Sequence, residues 1–152
     1  MRISAKVDYA VRAMCELAAH RADVPLKAEQ IASAQEIPLS FLENILVDLR
    51  RAGFVRSLRG QVGGYRMAKP ASEITIADII RAVEGPLADV RGMRPESLTF
   101  SGSATALRDV WLATRVGLRR VLERVSVADV VAGTIPADVA ALLEDPDALV
   151  PH

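Results

Sequence analysis

The chain has 152 residues, about half of them apolar and a quarter charged, with 19 basic and 19 acidic side chains in balance. That length favours one globular core with a modest extension over two independent cores, and the neutral balance speaks against a broadly basic, non-specific nucleic-acid binder. A lone cysteine, Cys15, excludes an internal disulfide, no apolar run approaches the roughly 20 residues of a bilayer span, and the opening MRISAKVDYAVRAM interrupts its hydrophobicity with charge, so a cytoplasmic location is expected.

From Ser4 to Arg21 the apolar residues Val7, Ala10, Val11, Met14, Leu17 and Ala18 recur at threes and fours, the stripe of an amphipathic helix. Residues 28–35 predict a short second helix with Ile31 inward, and Glu36-Ile37 lead into a third whose stripe is Leu42, Ile45, Leu46 and Leu49. This third helix has two candidate starts, since Pro38 suits a first helical position and Ser40-Phe-Leu-Glu43 has the form of a capping box; Gly53 stops it. Strands over 55–58 and 65–68 flank Arg59-Gly-Gln-Val-Gly-Gly64, whose glycines favour a hairpin with a flexible tip. Three helices followed by a hairpin is the order of a winged helix-turn-helix head.

Thr75-Ile-Ala-Asp78 opens a fourth helix through Ile79, Ile80 and Val83 that Gly85-Pro86 ends, and residues 87–103 lack periodicity and read as a loop. A long helix over about 104–125 follows, with Leu107, Trp111, Thr114, Leu118, Val121 and Val125 spaced 4, 3, 4, 3, 4. Such a seam predicts a dimer interface, the other outlet being packing on the chain's own first helix. Gly117 costs roughly 1 kcal/mol inside it relative to Ala, which a close helix crossing offsets. Ser126-Val-Ala-Asp129 caps a further short helix ending at Gly133, and residues 137–143 predict a last one within an acidic tail, 133–152. The expected fold class is mainly α with a small β-wing: a head over 1–86, a loop over 87–103, a long dimerisation helix and short helix over 104–132, and the tail.

Charge is unevenly placed. Between Arg50 and Lys69 stand six cations, Arg50, Arg51, Arg56, Arg59, Arg66 and Lys69, and no acid. After Arg124 there is no Lys or Arg, while Asp129, Asp138, Glu144, Asp145 and Asp147 accumulate, so one end attracts phosphate and the other repels it.

Tyr9-Ala-Val-Arg-Ala-Met14, the segment Ile37 to Leu49, Arg59-Gly60 with Gly63-Gly-Tyr-Arg66, Ile79-Ile-Arg-Ala-Val-Glu-Gly-Pro86, Arg108-Asp-Val-Trp111 and Ser126-Val-Ala-Asp-Val130 form a pattern in this order. The chain resembles the Rrf2 family of bacterial winged-helix regulators, of the IscR, NsrR and CymR type, from residue 1 to about 132. The resemblance implies a homodimer with crossing long helices and two heads reading a partly palindromic operator in double-stranded DNA. An α-helix fits the major groove with its N-terminal side chains at base edges, which makes the helix at about 38–52 the recognition helix. Ser40, Phe41, Glu43 and Asn44 are then the candidates for base readout. Ser40 and Glu43 have a second reading as helix caps, and Phe41 as core. In the wing over 55–68, Arg59 beside Gly60 suits a minor groove, and Arg50, Arg51, Arg56 and Arg66 suit phosphates. Arg2 and Tyr9 are further backbone-contact candidates by family analogy, Tyr9 having a second reading as a core anchor.

Many family members hold an iron–sulfur cluster on three cysteines in the loop before the long helix, and here residues 92–105 contain none. Gly92 and Thr105 stand near the outer positions, and Arg108 stands where some relatives place a histidine ligand; its permanent charge cannot bind iron. Asp8 lies near a point where certain relatives supply an acidic ligand, and equally suits a helix N-terminus. No cofactor and no metal are therefore expected, and His20 and His152 give no metal spacing. Four alternatives stay open for the signal: a small organic ligand between head and dimer helix, a partner protein, constitutive repression, and cysteines removed by engineering. An enzyme is not expected, because no nucleophile–base pair, metal set or phosphate loop is visible. A winged-helix module that docks protein in place of DNA is the rival class, against which the acid-free basic stretch speaks.

Overall fold

Local capping and a shared apolar stripe set the architecture seen in a computed structural model that describes residues 2–151. In chain order the elements are α1 (Ala5–Ala19), α2 (Ala28–Gln35), α3 (Leu39–Arg51), β1 (Val55–Leu58), β2 (Gly64–Met67), α4 (Ile76–Val83), α5 (Leu107–Leu122), α6 (Val127–Ala132) and α7 (Ala137–Ala140). The fold is mainly helical with one small antiparallel sheet, as the residue pattern predicts.

Hydroxyl caps start three of these helices. Ser4 accepts from the Val7 amide at 3.1 Å, Thr75 from that of Asp78 at 3.1 Å and Ser126 from that of Asp129 at 3.1 Å. In the last two the aspartate accepts in turn from the cap residue's own N–H, so Thr75–Asp78 and Ser126–Asp129 are both capping boxes. These two boxes are joined: Ile76 N–H donates to the Val125 carbonyl and Val127 N–H to that of Ile74, each at 2.9 Å. The chain after the long helix is thereby pinned to the head, and Val127 enters the core built by Val7, Ala10, Met14 and Leu17 of α1 with Ile31, Leu42, Ile45, Leu46, Leu49, Ile79 and Val83.

Between α2 and α3 the turn is made by Glu36, left-handed at φ 52°, whose N–H returns to the Ala32 carbonyl while Ile37 is buried behind it. In the wing, β1 pairs with β2 in the register Val55 with Met67 through Leu58 with Gly64, and Leu26 extends the sheet by exchanging hydrogen bonds with Tyr65 at 2.9 and 2.7 Å. These close approaches explain the glycines. A Cβ on Gly64, at φ +151°, would stand 2.4 Å from the Leu26 carbonyl oxygen, and one on Gly63 would stand 2.3 Å from that of Leu58.

The long helix is shorter than its heptad pattern predicts. Residues 102–104 form a separate 3-10 turn and α5 ends at Leu122. Val125, expected in the dimer seam, lies beyond the helix and is buried in the protomer, where its backbone carbonyl anchors the α4 cap. The expected loop holds a further 3-10 turn, Pro95–Ser97, whose first residue, Pro95, is buried. The predicted last helix appears as α7 followed by the 3-10 turn Ala141–Glu144. His152 lies outside the described residues.

Candidate nucleic-acid interface

α3 turns Leu42, Ile45, Leu46 and Leu49 inward, and this leaves Ser40, Phe41, Glu43 and Asn44 exposed along its first turns. Pro38 occupies the N-cap position and no side chain caps the helix, so the Ser40–Glu43 box does not form. The reason is local: with Pro38 fixed near φ −57°, helical bonds already close from Phe41 and Leu42 N–H to its carbonyl, both at 3.0 Å. Asn44 is steadied by a 3.0 Å bond from its side-chain amide to the Ser40 carbonyl. Phe41 is 48% exposed, and its ring meets that of Tyr9 edge-on. Tyr9 is thus half-buried on α1, between Phe41 and the guanidinium of Arg12.

The cations farther along fall into two kinds. Arg50 donates to the Ser57 hydroxyl at 3.3 Å, linking the end of α3 to the wing, and Arg56 donates to the Ala68 carbonyl at 3.3 Å. Arg51 pairs loosely with Asp48 at 3.7 Å, because Lys6 holds that carboxylate at 2.8 Å. Arg50, Arg56, Arg59 and Arg66 have no carboxylate partner among the described residues. Arg56 and Arg66 stand directly opposite in the hairpin, a like-charge pair that repels unless an anion sits over it. Arg59 and Gly60 are exposed at the hairpin tip.

Sequence reasoning missed Lys27. It precedes α2 and, with Arg50, Arg59 and one carboxylate, Glu29, lines a concavity of about 440 Å³ between the start of α2, the end of α3 and the wing. A cation just ahead of a helix whose N–H groups point outward was the available signal.

α5 carries a second exposed surface. Leu107, Trp111, Leu118 and Val121 of the predicted seam are half-covered by their own protomer, while Thr114 is exposed. Val110 (52% exposed), Thr114 and Gly117, with Val121 at the edge, form the side left open, again at spacings of 4, 3 and 4. A Cβ on Gly117 would meet no atom within 4 Å, so nothing inside the protomer requires glycine there.

The Rrf2 family, described as iron-dependent transcriptional regulators, matches residues 3–133. The chain belongs to the Rrf2 family. It is a DNA-binding transcriptional regulator and not an enzyme. This Rrf2 chain is 49% identical to Rv1287 of Mycobacterium tuberculosis over 145 residues, covering 95% of this chain and 90% of that protein. It is 33% identical to the HTH-type transcriptional regulator CymR of Bacillus subtilis over 134 residues, 88% of this chain and 92% of that one. The structure of CymR, the global cysteine regulator of B. subtilis, superposes with a TM-score of 0.74 at 31% identity, over 88% of this chain and 98% of that one. T. potens IscR follows at 0.71 and 33%, over 88% of each chain.

The donors present in this Rrf2 member do not suit an iron–sulfur cluster. Residues 92–105 offer hydroxyls, one thioether and the Glu96 carboxylate, which is already paired with Arg115. Cys15 is half-buried on α1, where burial and then the neighbouring Glu16 push its thiol above the ordinary value, away from thiolate. Asp8 pairs with Arg12 one turn on, at 3.0 Å. Among the described residues no three His, Cys, Asp or Glu side chains gather as a metal site, and no helix is long and apolar enough to cross a membrane.

Proposed function

We propose that this Rrf2 regulator is a homodimeric, cluster-free repressor acting in the cytoplasm, with two heads on a partly palindromic operator. α3 lies in the major groove, with Ser40, Phe41, Glu43 and Asn44 at base edges. Arg59 and Gly60 enter the flanking minor groove, and Arg50, Arg51, Arg56 and Arg66, joined by Lys27, bind phosphates. One observation carries this reading: an uncapped, exposed start of α3 is linked through Arg50 and Ser57 to a wing whose arginines lack carboxylate partners among the described residues. The open side of α5 supports pairing of two protomers, with Gly117 at the helix crossing. Repression follows from occupying the promoter.

The test is fluorescence anisotropy of the purified protein on duplex DNA from its own upstream region against a scrambled duplex, across a salt series. Strong preference for the native duplex with a steep salt slope supports the reading. Equal, weak binding to both duplexes overturns it and gives the lead to a protein-docking module.

A further inference from the structure

The head and the dimer helix are tied together by ion pairs, and those ties flank a cleft. Arg81 of α4 reaches Glu123, the residue capping the end of α5, and Arg115 of α5 reaches Glu96 in the turn Pro95–Ser97. Between them lies an open cleft of about 520 Å³, walled on one side by the apolar segment 86–88. Arg81, Arg94, Arg115 and Arg119 line it against a single carboxylate, Glu96.

Its cations are incompletely satisfied. Arg94 has no carboxylate within ion-pair distance among the described residues, and the Arg115 Nε is shielded from solvent without a hydrogen-bond partner. Glu123 serves both Arg81 and Arg119, the latter at 3.0 Å, and Arg81 has a second carboxylate in Asp78 at 3.4 Å, so the unmet donors are those of Arg94 and Arg115. A second carboxylate would complete the set, because guanidinium presents paired N–H donors that match it.

We infer that this cleft binds a small organic carboxylate, its charged end on Arg94 and Arg115 and its apolar body against residues 86–88. The regulatory consequence rests on the function proposed above. A bound carboxylate competes with Glu96 and Glu123 for Arg115, Arg81 and Arg119, the contacts that set α5 against α4 and the loop. Helical periodicity puts residues 115 and 119 on a different side of α5 from the open face at 110, 114, 117 and 121, so the ligand and the partner protomer do not contend for one surface. A ligand that prefers one setting of α5 over another changes the separation of the two heads, and with it operator affinity.

The test uses nitrogen-labelled full-length protein, read through arginine side-chain N–H resonances. Propionate, benzoate and succinate are titrated against propionamide, benzamide and succinamide at matched ionic strength. At least one carboxylate is expected to shift the Arg94 and Arg115 signals saturably while its amide does not. Arg94→Gln, and Arg94→Gln with Arg115→Gln, should weaken that binding by about tenfold to a hundredfold, with Arg94→Lys intermediate. Absence of saturation by all three carboxylates, equal shifts from the amides, or full binding in the double variant overturns the proposal. Operator affinity of ligand-free Arg94→Gln, read on the same preparation, separates the two questions: lost carboxylate binding beside intact operator binding concerns the pocket alone. Failure of the ligand-free wild type on its operator concerns the regulator reading.

Discussion

The rings of Tyr9 and Phe41 meet edge to face, their centroids 5.9 Å apart and their planes at 84°, with the Arg12 guanidinium 5.0 Å above Tyr9. A phenylalanine half in water at the start of α3 is thereby held in one orientation by a residue of α1. The contact packs the Tyr9 ring and makes α1 part of the support for α3. Tyr9→Ala should weaken operator binding with Phe41 unchanged in sequence, while Tyr9→Phe, which keeps the ring, should not. An edge-on aromatic pair contributes about 0.5–1.5 kcal/mol, so a loss of up to about tenfold by anisotropy is expected. Equal affinity in Tyr9→Ala would remove Tyr9 from the positioning of α3.

Arg59 and Arg51 should fail in different ways. Arg59→Ala removes an exposed tip guanidinium and should cost about 1–3 kcal/mol while relaxing preference for the flanking bases. Arg51, only loosely engaged by Asp48, should behave as a phosphate contact. Arg51→Ala should weaken native and scrambled duplexes alike and lower the salt slope by about one. Identical behaviour of the two variants would contradict the division between readout and positioning.

Gly117 discriminates a crossing helix from a solvated one. In an isolated protomer Gly117→Ala adds helix propensity of about 1 kcal/mol, and the new methyl group touches nothing. At a helix crossing the same methyl group holds the backbones apart. Sedimentation over a micromolar concentration series should therefore show Gly117→Ala weakening the dimer and Gly117→Leu abolishing it. Tighter dimerisation in Gly117→Ala would move the crossing elsewhere on α5. Leu118→Asp is the less clean test, since Leu118 is half-covered within its own protomer.

The joined caps predict an acid transition. The Ser126 side chain, and then its backbone N–H, hold the Asp129 carboxyl below its ordinary value of 3.8. A carboxylate with a lowered native pKa contributes stability above the unfolded-state value and loses it as pH falls through that value towards the native one. The melting difference between wild type and Asp129→Asn should thus be largest near neutral pH and shrink once pH falls below about 3.8. A difference constant across that window would show that the charge on Asp129 is not what the cap uses.

The sequence alone determined the helices, the wing, two capping boxes and the family, because these depend on short-range chemistry. Stripes at threes and fours, a serine or threonine three residues before an aspartate, and glycines at a hairpin tip act within a few residues of themselves. The exposed start of α3 was legible for the same reason, since the stripe that fixes its buried face also fixes what remains outside. Lys27 was missed because its relation to Arg50 and Arg59 exists only once α2, α3 and the wing are folded together. Only the tertiary structure decided which apolar residues of α5 are already covered, that Val125 belongs to the protomer, that Tyr9 supports Phe41, and that four arginines share one cleft. Periodicity reports that a helix has an apolar side. It carries no record of how much of that side the chain's own loop and neighbouring helix will bury, and that amount decides what is left for a partner.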